Sequence, residues 1–209
     1  GAGLVIFRTS EACSKSGVQV GDNFYPGHTG FFKAPNVYLA FIALGYQQGT
    51  DAAIFVSVAD LAGNHAKSGL NYHLRRKVFR QERLNITDGF LKQKMPNFSS
   101  QISPEPNSSL VDKFLKVNRD LREANYQKIV EVCRNTDPKI HWQGDFIRLP
   151  KSATRAKFAD HRIYMYKGRE IDRQVHLGID LASVAHSPIP AANGGIVIFA
   201  ESLGIYGKA

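Results

Sequence analysis

Two side chains in "QVHLGIDLA", Gln174 to Ala182, are of types that can do chemistry together: His176 and Asp180, four apart, with Gly178 between them. An imidazole nitrogen and a carboxylate oxygen both bind zinc at about 2.0–2.2 Å. At this spacing they share a face on a helix and also on a strand. Val175, Leu177, Ile179 and Leu181 take the alternate positions. That pattern predicts a strand, apolar on one side, with His176, Gly178 and Asp180 on the other. A position without a side chain between the pair would let an ion approach. Catalytic zinc needs three protein ligands and an open position, so two residues do not make a centre. The residues alone leave two readings open: half of a metal site, or a His–Asp hydrogen bond or ion pair on a half-exposed strand.

Other reactive residues offer less. Cys13 and Cys133 are the only cysteines, and they form no C-x-x-C pair. A zinc site built on thiolates is therefore not expected, and a single disulfide or two free thiols both remain open. Asp60 and Asn64 in "DLAGN" supply too few oxygens for calcium, which takes six to eight, and read as turn formers. His186, in "VAHSP", reads as a solvated loop residue or one at a groove rim, and His161, in "ADHRIY", as a residue that could line a cleft.

The elements that must position the pair are mostly β. In residues 1–98, "LVIFR" (4–8), "VYLAFIAL" (37–44), "AAIFVSVAD" (52–60) and "GLNYHLRRKVF" (69–79) are rich in branched and aromatic residues. Turn chemistry at 16–23, 25–30, 46–51 and 60–69 separates them, which predicts a β-sandwich. Residues 99–108 are polar with two prolines and predict a linker. A long helix follows. Ser109 and Asp112 have capping-box spacing, and Leu110, Phe114, Val117, Leu121 and Ala124 form an apolar stripe that ends near Asn135 and Pro138. Beyond it, "HWQGDFIRLP" (141–150) and "RIYMYKG" (162–168) read as strands, the second running into a Lys-Gly hairpin turn, and "GIVIFAESLGIYG" (195–207) as a strand followed by a Gly-bounded turn. The fold class expected is mainly β with one long helix. The expected domains are 1–98, a linker and helix at 99–138, and an antiparallel β domain at 139–209.

Composition narrows the partners. The formal net charge is +9, and basic residues cluster in "RRKVFRQER", 75–83. Such a protein is drawn to anionic polymers such as nucleic acid, anionic lipid or an acidic cell wall. Aromatics do not alternate with the charges as a base-stacking platform requires, and no nucleic-acid motif is present, so nucleic acid is not expected. The longest apolar run, 37–46, is too short to span a bilayer. An export signal or membrane anchor upstream of Gly1 stays open.

"HLGIDLA" followed by "PIPAANGGIVIFAESLGIYG" (188–207) resembles the lysostaphin-type metallopeptidases of the M23 class. In that family a His-x-Gly-x-Asp segment precedes a strand with an Ala-Ala-x-x-Gly-x-Val core and a Gly-bounded turn. "KFADHRIYMYKG" (157–168) takes the place of the family's Phe-Gly-x-Arg-Arg segment, with Ala159 where a Gly is usual and His161 where an Arg is. The resemblance covers roughly 141–209 and is most specific through 176–207. Residues 1–98 resemble, more loosely, the immunoglobulin-like domains that often precede such peptidases.

The resemblance implies a zinc endopeptidase that cuts peptide bonds of bacterial peptidoglycan in the periplasm or cell envelope. It implies His176 and Asp180 as two zinc ligands. The family's third ligand lies in a downstream His-x-His motif, and a Tyr-x-His histidine assists catalysis. No two of the seven histidines here are spaced His-x-His. The chain is therefore expected to be the N-terminal part of the peptidase domain, inactive until a C-terminal segment completes it, with a broken gene product as the alternative. The alternatives are a non-catalytic, wall-bound relative that regulates other hydrolases, and a wall-binding module in residues 1–98.

Overall fold

The computed structural model describes residues 1–103, 107–137 and 139–209. The prolines expected in the linker, Pro104 and Pro106, and Pro138 at the end of the helix lie outside the described residues. The chain is mainly β, as its composition of branched and aromatic runs predicts. It divides into two compact units, Gly1–Val78 and Phe79–Ala209.

The first unit contains β1 (Ala2–Arg8), β2 (Cys13–Val20), β3 (Asn23–Pro26), β4 (Val37–Ala43), β5 (Ile54–Asp60) and β6 (His65–Gly69). β1 and β4 form an antiparallel ladder, and the other four form a sheet in the order β3-β2-β5-β6. Val18, Val20, Ala40, Ile42, Ile54 and Val56 make one buried cluster, with Val5 and Phe7 packed against it. Alternation puts every second residue of β2, β4 and β5 into this core.

Three expectations for this unit fail, the first being the turn read at 60–69, of which residues 65–69 form β6 paired with β5. Residues 16–23 were expected to be a turn, but 16–20 belong to β2. Only Gly21 and Asp22 turn, between the paired Val20 and Asn23, and Gly21 has φ +54°. Gly17 interrupts the strand pattern because β3 crosses closely; a Cβ there would collide with the Tyr25 carbonyl and the Phe24 ring. The strand expected at 69–79 does not form. β6 lies earlier, and residues 70–80 have no regular structure, although Leu70 and Leu74 still pack on the core.

The second unit begins with β7 (Gln81–Ile86) and α1 (Asp88–Lys94), followed by a 3₁₀ turn at Met95–Phe98. The expected boundary at residue 98 is thus displaced. β7 pairs in parallel with β9 (His161–Tyr166), so residues 81–86 belong with the C-terminal region. α1 was missed in a stretch read as β. Its signal is Thr87, whose side chain accepts from the Phe90 N–H as an N-cap.

Where one long helix was expected, the chain forms α2 (Leu110–Lys116), a π turn at Val117–Leu121, and α3 (Arg122–Val132) in succession. The capping box is formed: Ser109 Oγ accepts from Asp112 N–H at 3.1 Å, and Asp112 Oδ2 accepts from Ser109 N–H at 3.0 Å. The π turn inserts one residue into the repeat. Val117 and Asn118 are consequently both buried, and the covered face continues through Asn125 while Ala124 is exposed.

β10 (Arg169–Val175) folds back on β9 through Lys167 and Gly168, with φ +48° and +78°, giving a sheet ordered β10-β9-β7. Two positive φ values in a two-residue loop are the hairpin geometry that matches strand twist. Ile86, Leu91, Met95, Phe114, Val117 and Tyr164 form the core between this sheet and the helices. β8 (Ala153–Ala156) pairs antiparallel with β11 (Asp180–Ala182). β12 (Ser202–Leu203) and β13 (Gly207–Lys208) pair around a 3₁₀ turn at Gly204–Tyr206.

The strand expected at 141–150 does not form, and of the strand and Gly-bounded turn expected at 195–207 only the turn does, at residues 204–207. The first has no regular structure. It is held instead by Asn193, whose Nδ2 donates to the carbonyls of Gln143 and Asp145. In the second, residues 195–200 have no strand partner among the described residues.

Candidate metal centre

His176 and Asp180 do not share one strand, contrary to the sequence pattern. β10 ends at Val175, residues 176–179 are irregular, and Asp180 opens β11 in a different sheet. The pair nevertheless converges: His176 Nε2 lies 3.3 Å from Asp180 Oδ1. The chain bends between them instead of running straight.

The backbone of His176 is pinned on both sides. Its N–H donates to the Asp160 carbonyl at 2.9 Å, and its carbonyl accepts from Ala159 N–H at 2.7 Å. The turn that offers these groups is closed by Asp160 itself, which is 3% exposed and accepts from Lys157 N–H at 2.9 Å through Oδ2. Ala159 takes φ +65° while fully buried. This is a left-handed conformation that glycine adopts without strain and that a Cβ-bearing residue rarely takes. Gly178 is less constrained than expected, because a Cβ there would make only ordinary contacts, 3.9 Å from the His176 ring.

The electrostatics favour a neutral imidazole. Burial pushes the His176 pKa down from 6.5; Asp180 and Asp160 pull it up, and Arg162 and Arg122 push it further down. A neutral ring offers a lone pair to a metal. Asp180 faces two partners, with Oδ1 toward His176 and Oδ2 accepting from Arg162 Nη2 at 3.3 Å. Although His176 Nε2 is within ion-pair distance of Asp180, it makes no hydrogen bond and is buried; Arg162 Nε shares that condition.

The donor set fits a zinc ion in part. A tetrahedral centre with bonds of about 2.05 Å has donor atoms separated by about 3.3 Å, the geometric consequence of its bond lengths. The observed separation equals that edge, and the buried nitrogen is left for a further partner. Two donors are nonetheless all that converge. No cluster of three or more His, Cys, Asp or Glu suited to a metal occurs among the described residues.

The remaining candidates stay apart from the pair. His161 lies on β9 next to Arg162, so alternation sends it to the opposite face, where its ring is 6.4 Å from that of Phe79. His186 is exposed, with φ +62°. Asp60 acts as a turn former: its Oδ1 accepts from Asn64 N–H and its Oδ2 from Asn64 Nδ2, each at 2.8 Å. Cys13 and Cys133 are both free thiols. Sequence reasoning missed Arg162 and Asp160. Their signal was present in "FADHR", where a charged run follows an aromatic and precedes the alternating β9.

No protein-family model matches the chain, and no curated protein matches it.

Proposed function

We propose that residues 139–209 contribute to a zinc metalloendopeptidase of the bacterial cell envelope that hydrolyses peptide bonds of peptidoglycan. The observation that carries this is the 3.3 Å approach of a buried, unbonded imidazole nitrogen to a carboxylate oxygen. It is joined by the His-x-Gly-x-Asp segment that resembles the lysostaphin-type family. His176 and Asp180 would hold the metal, with a further ligand still required. Zinc in such a centre supplies Lewis acidity toward a scissile carbonyl and acidifies water. The chain's own part is to keep His176 neutral by burial, to pin its backbone through the Ala159–Asp160 turn, and to present Asp180 Oδ1. The first unit, two β layers over one core, fits an immunoglobulin-like module that localises the chain to the wall.

The test is zinc titration of the 209-residue chain, followed by NMR of the histidine rings. One weak site is expected, moving His176 and disappearing in His176→Ala and in Asp180→Ala. Unmoved His176 resonances, or undiminished binding in either variant, would remove the assignment. The native gene product containing these residues should then release peptides from purified peptidoglycan and lose this activity with a chelator.

A second reading has its own support. Arg162 already partners Asp180, which a metal-free relative could use to neutralise that carboxylate. Such a wall-bound regulator would sediment with peptidoglycan and release nothing from it.

A further inference from the structure

We infer that Arg162 is a positioning residue of this centre, turning the Asp180 carboxylate so that Oδ1 faces His176 Nε2. The inference rests on the metal reading above. Its basis is that the two donors stand on separately built supports. His176 follows β10, in the sheet β10-β9-β7, and its backbone is fixed by two hydrogen bonds to the turn before β9. Asp180 opens β11, a three-residue strand paired only with β8. The register slips between Asp180 and Leu181, and the Asp180 side chain is 53% exposed. Neither the strand nor burial sets the rotation of that carboxylate.

Arg162 does. It sits in the central strand of the three-stranded sheet, paired with Gln174 on β10 and Glu82 on β7, and its side chain is 20% exposed. From there Nη2 donates to Asp180 Oδ2 at 3.3 Å, which ties β11 to the sheet that carries His176. With Oδ2 held, the carboxylate plane directs Oδ1 to the imidazole. A planar guanidinium suits this, since it donates in fixed directions, unlike a flexible ammonium. Partners of this kind orient metal ligands, and removing one typically lowers metal affinity by about 10–100-fold.

There is a physical counter-argument, and it predicts the opposite sign. A guanidinium beside a divalent cation repels it, so if Arg162 acted through charge alone, its removal would tighten binding. The experiment is zinc and cobalt titration of the full 209-residue chain as wild type, Arg162→Gln and Arg162→Lys. The cobalt visible spectrum serves as a readout of geometry, and far-UV circular dichroism confirms that each variant is folded. About a tenfold weaker affinity and an altered cobalt spectrum are expected for Arg162→Gln. A smaller loss is expected for Arg162→Lys, which keeps the charge but not the directional donor. Unchanged or tighter binding in folded Arg162→Gln, with wild type still binding through His176, would overturn the role of Arg162 alone. Failure of wild type to bind would overturn the metal reading itself. If Arg162→Gln does not fold, Arg162→Lys decides: wild-type affinity and spectrum overturn the role, and a weakened affinity with a changed spectrum supports it.

Discussion

At the scale of single residues, the types and spacing of His176 and Asp180 single them out in an apolar segment, and the structure brings their side chains to 3.3 Å of each other. How they meet was not legible. Alternation predicts one straight strand, whereas the chain leaves β10 at Val175 and bends before β11. The groups that hold the His176 backbone there, Asp160 and Ala159, lie well back in the chain, so no short window around residue 176 contains them. They make a clear prediction. Asp160 is buried and satisfies the Lys157 N–H. Asp160→Ala leaves that donor unpaired, which typically costs about 1–3 kcal/mol. Urea unfolding should show a loss of this size, and hydrogen exchange should show faster exchange at the His176 amide. Unchanged exchange there would mean that the turn does not hold the histidine.

At the scale of elements, the helix start was read correctly because a capping box is local chemistry. The second half of its stripe was misplaced. The π turn at Val117–Leu121 adds a residue, and after it Asn125, not Ala124, faces inward. A periodic reading cannot anticipate that shift, and a polar network reaching across the sequence accompanies it. Asn118 Nδ2 donates to Asp172 Oδ2 at 2.7 Å, Arg119 Nε donates to Asp172 Oδ1 at 2.9 Å, and Arg122 Nη2 donates to Asn118 Oδ1 at 2.7 Å. Asn118→Ala should therefore destabilise the protein by about 1–3 kcal/mol by denaturant titration, since Asp172 and Arg122 each lose a partner. The helix start also has a pH signature. Hydrogen bonds from the Ser109 side chain and then its backbone lower the Asp112 pKa below 3.8. A depressed carboxylate contributes stability that is fully present above its unfolded value and is lost as pH falls through the folded one. In Asp112→Asn, acid unfolding monitored below pH 3.8 should be less steep than in wild type.

At the scale of the whole molecule, the β-rich character and the hairpin at Lys167–Gly168 were visible in composition and turn chemistry. The division into units was not, because β7 joins its unit by pairing with a strand some 80 positions later. The same reason defeats the strand read at 195–200. A strand is defined by neighbours that satisfy its backbone, and no sequence window supplies them. The consequence is exposed apolar surface. Ile179, Ile189, Ile196, Val197 and Ile198 are all more than half exposed, and Val197 and Ile189 exceed 80%. Water-facing aliphatic side chains at this density favour association. The 209-residue chain should therefore bind a hydrophobic dye such as ANS under native conditions and self-associate at high concentration. Ile196→Lys with Ile198→Lys should reduce both. Because these side chains are already solvated, the double variant should leave the unfolding midpoint nearly unchanged, which separates surface stickiness from loss of structure. A chain that stays monomeric and dye-free at high concentration would show that this surface is not sticky, whatever its composition.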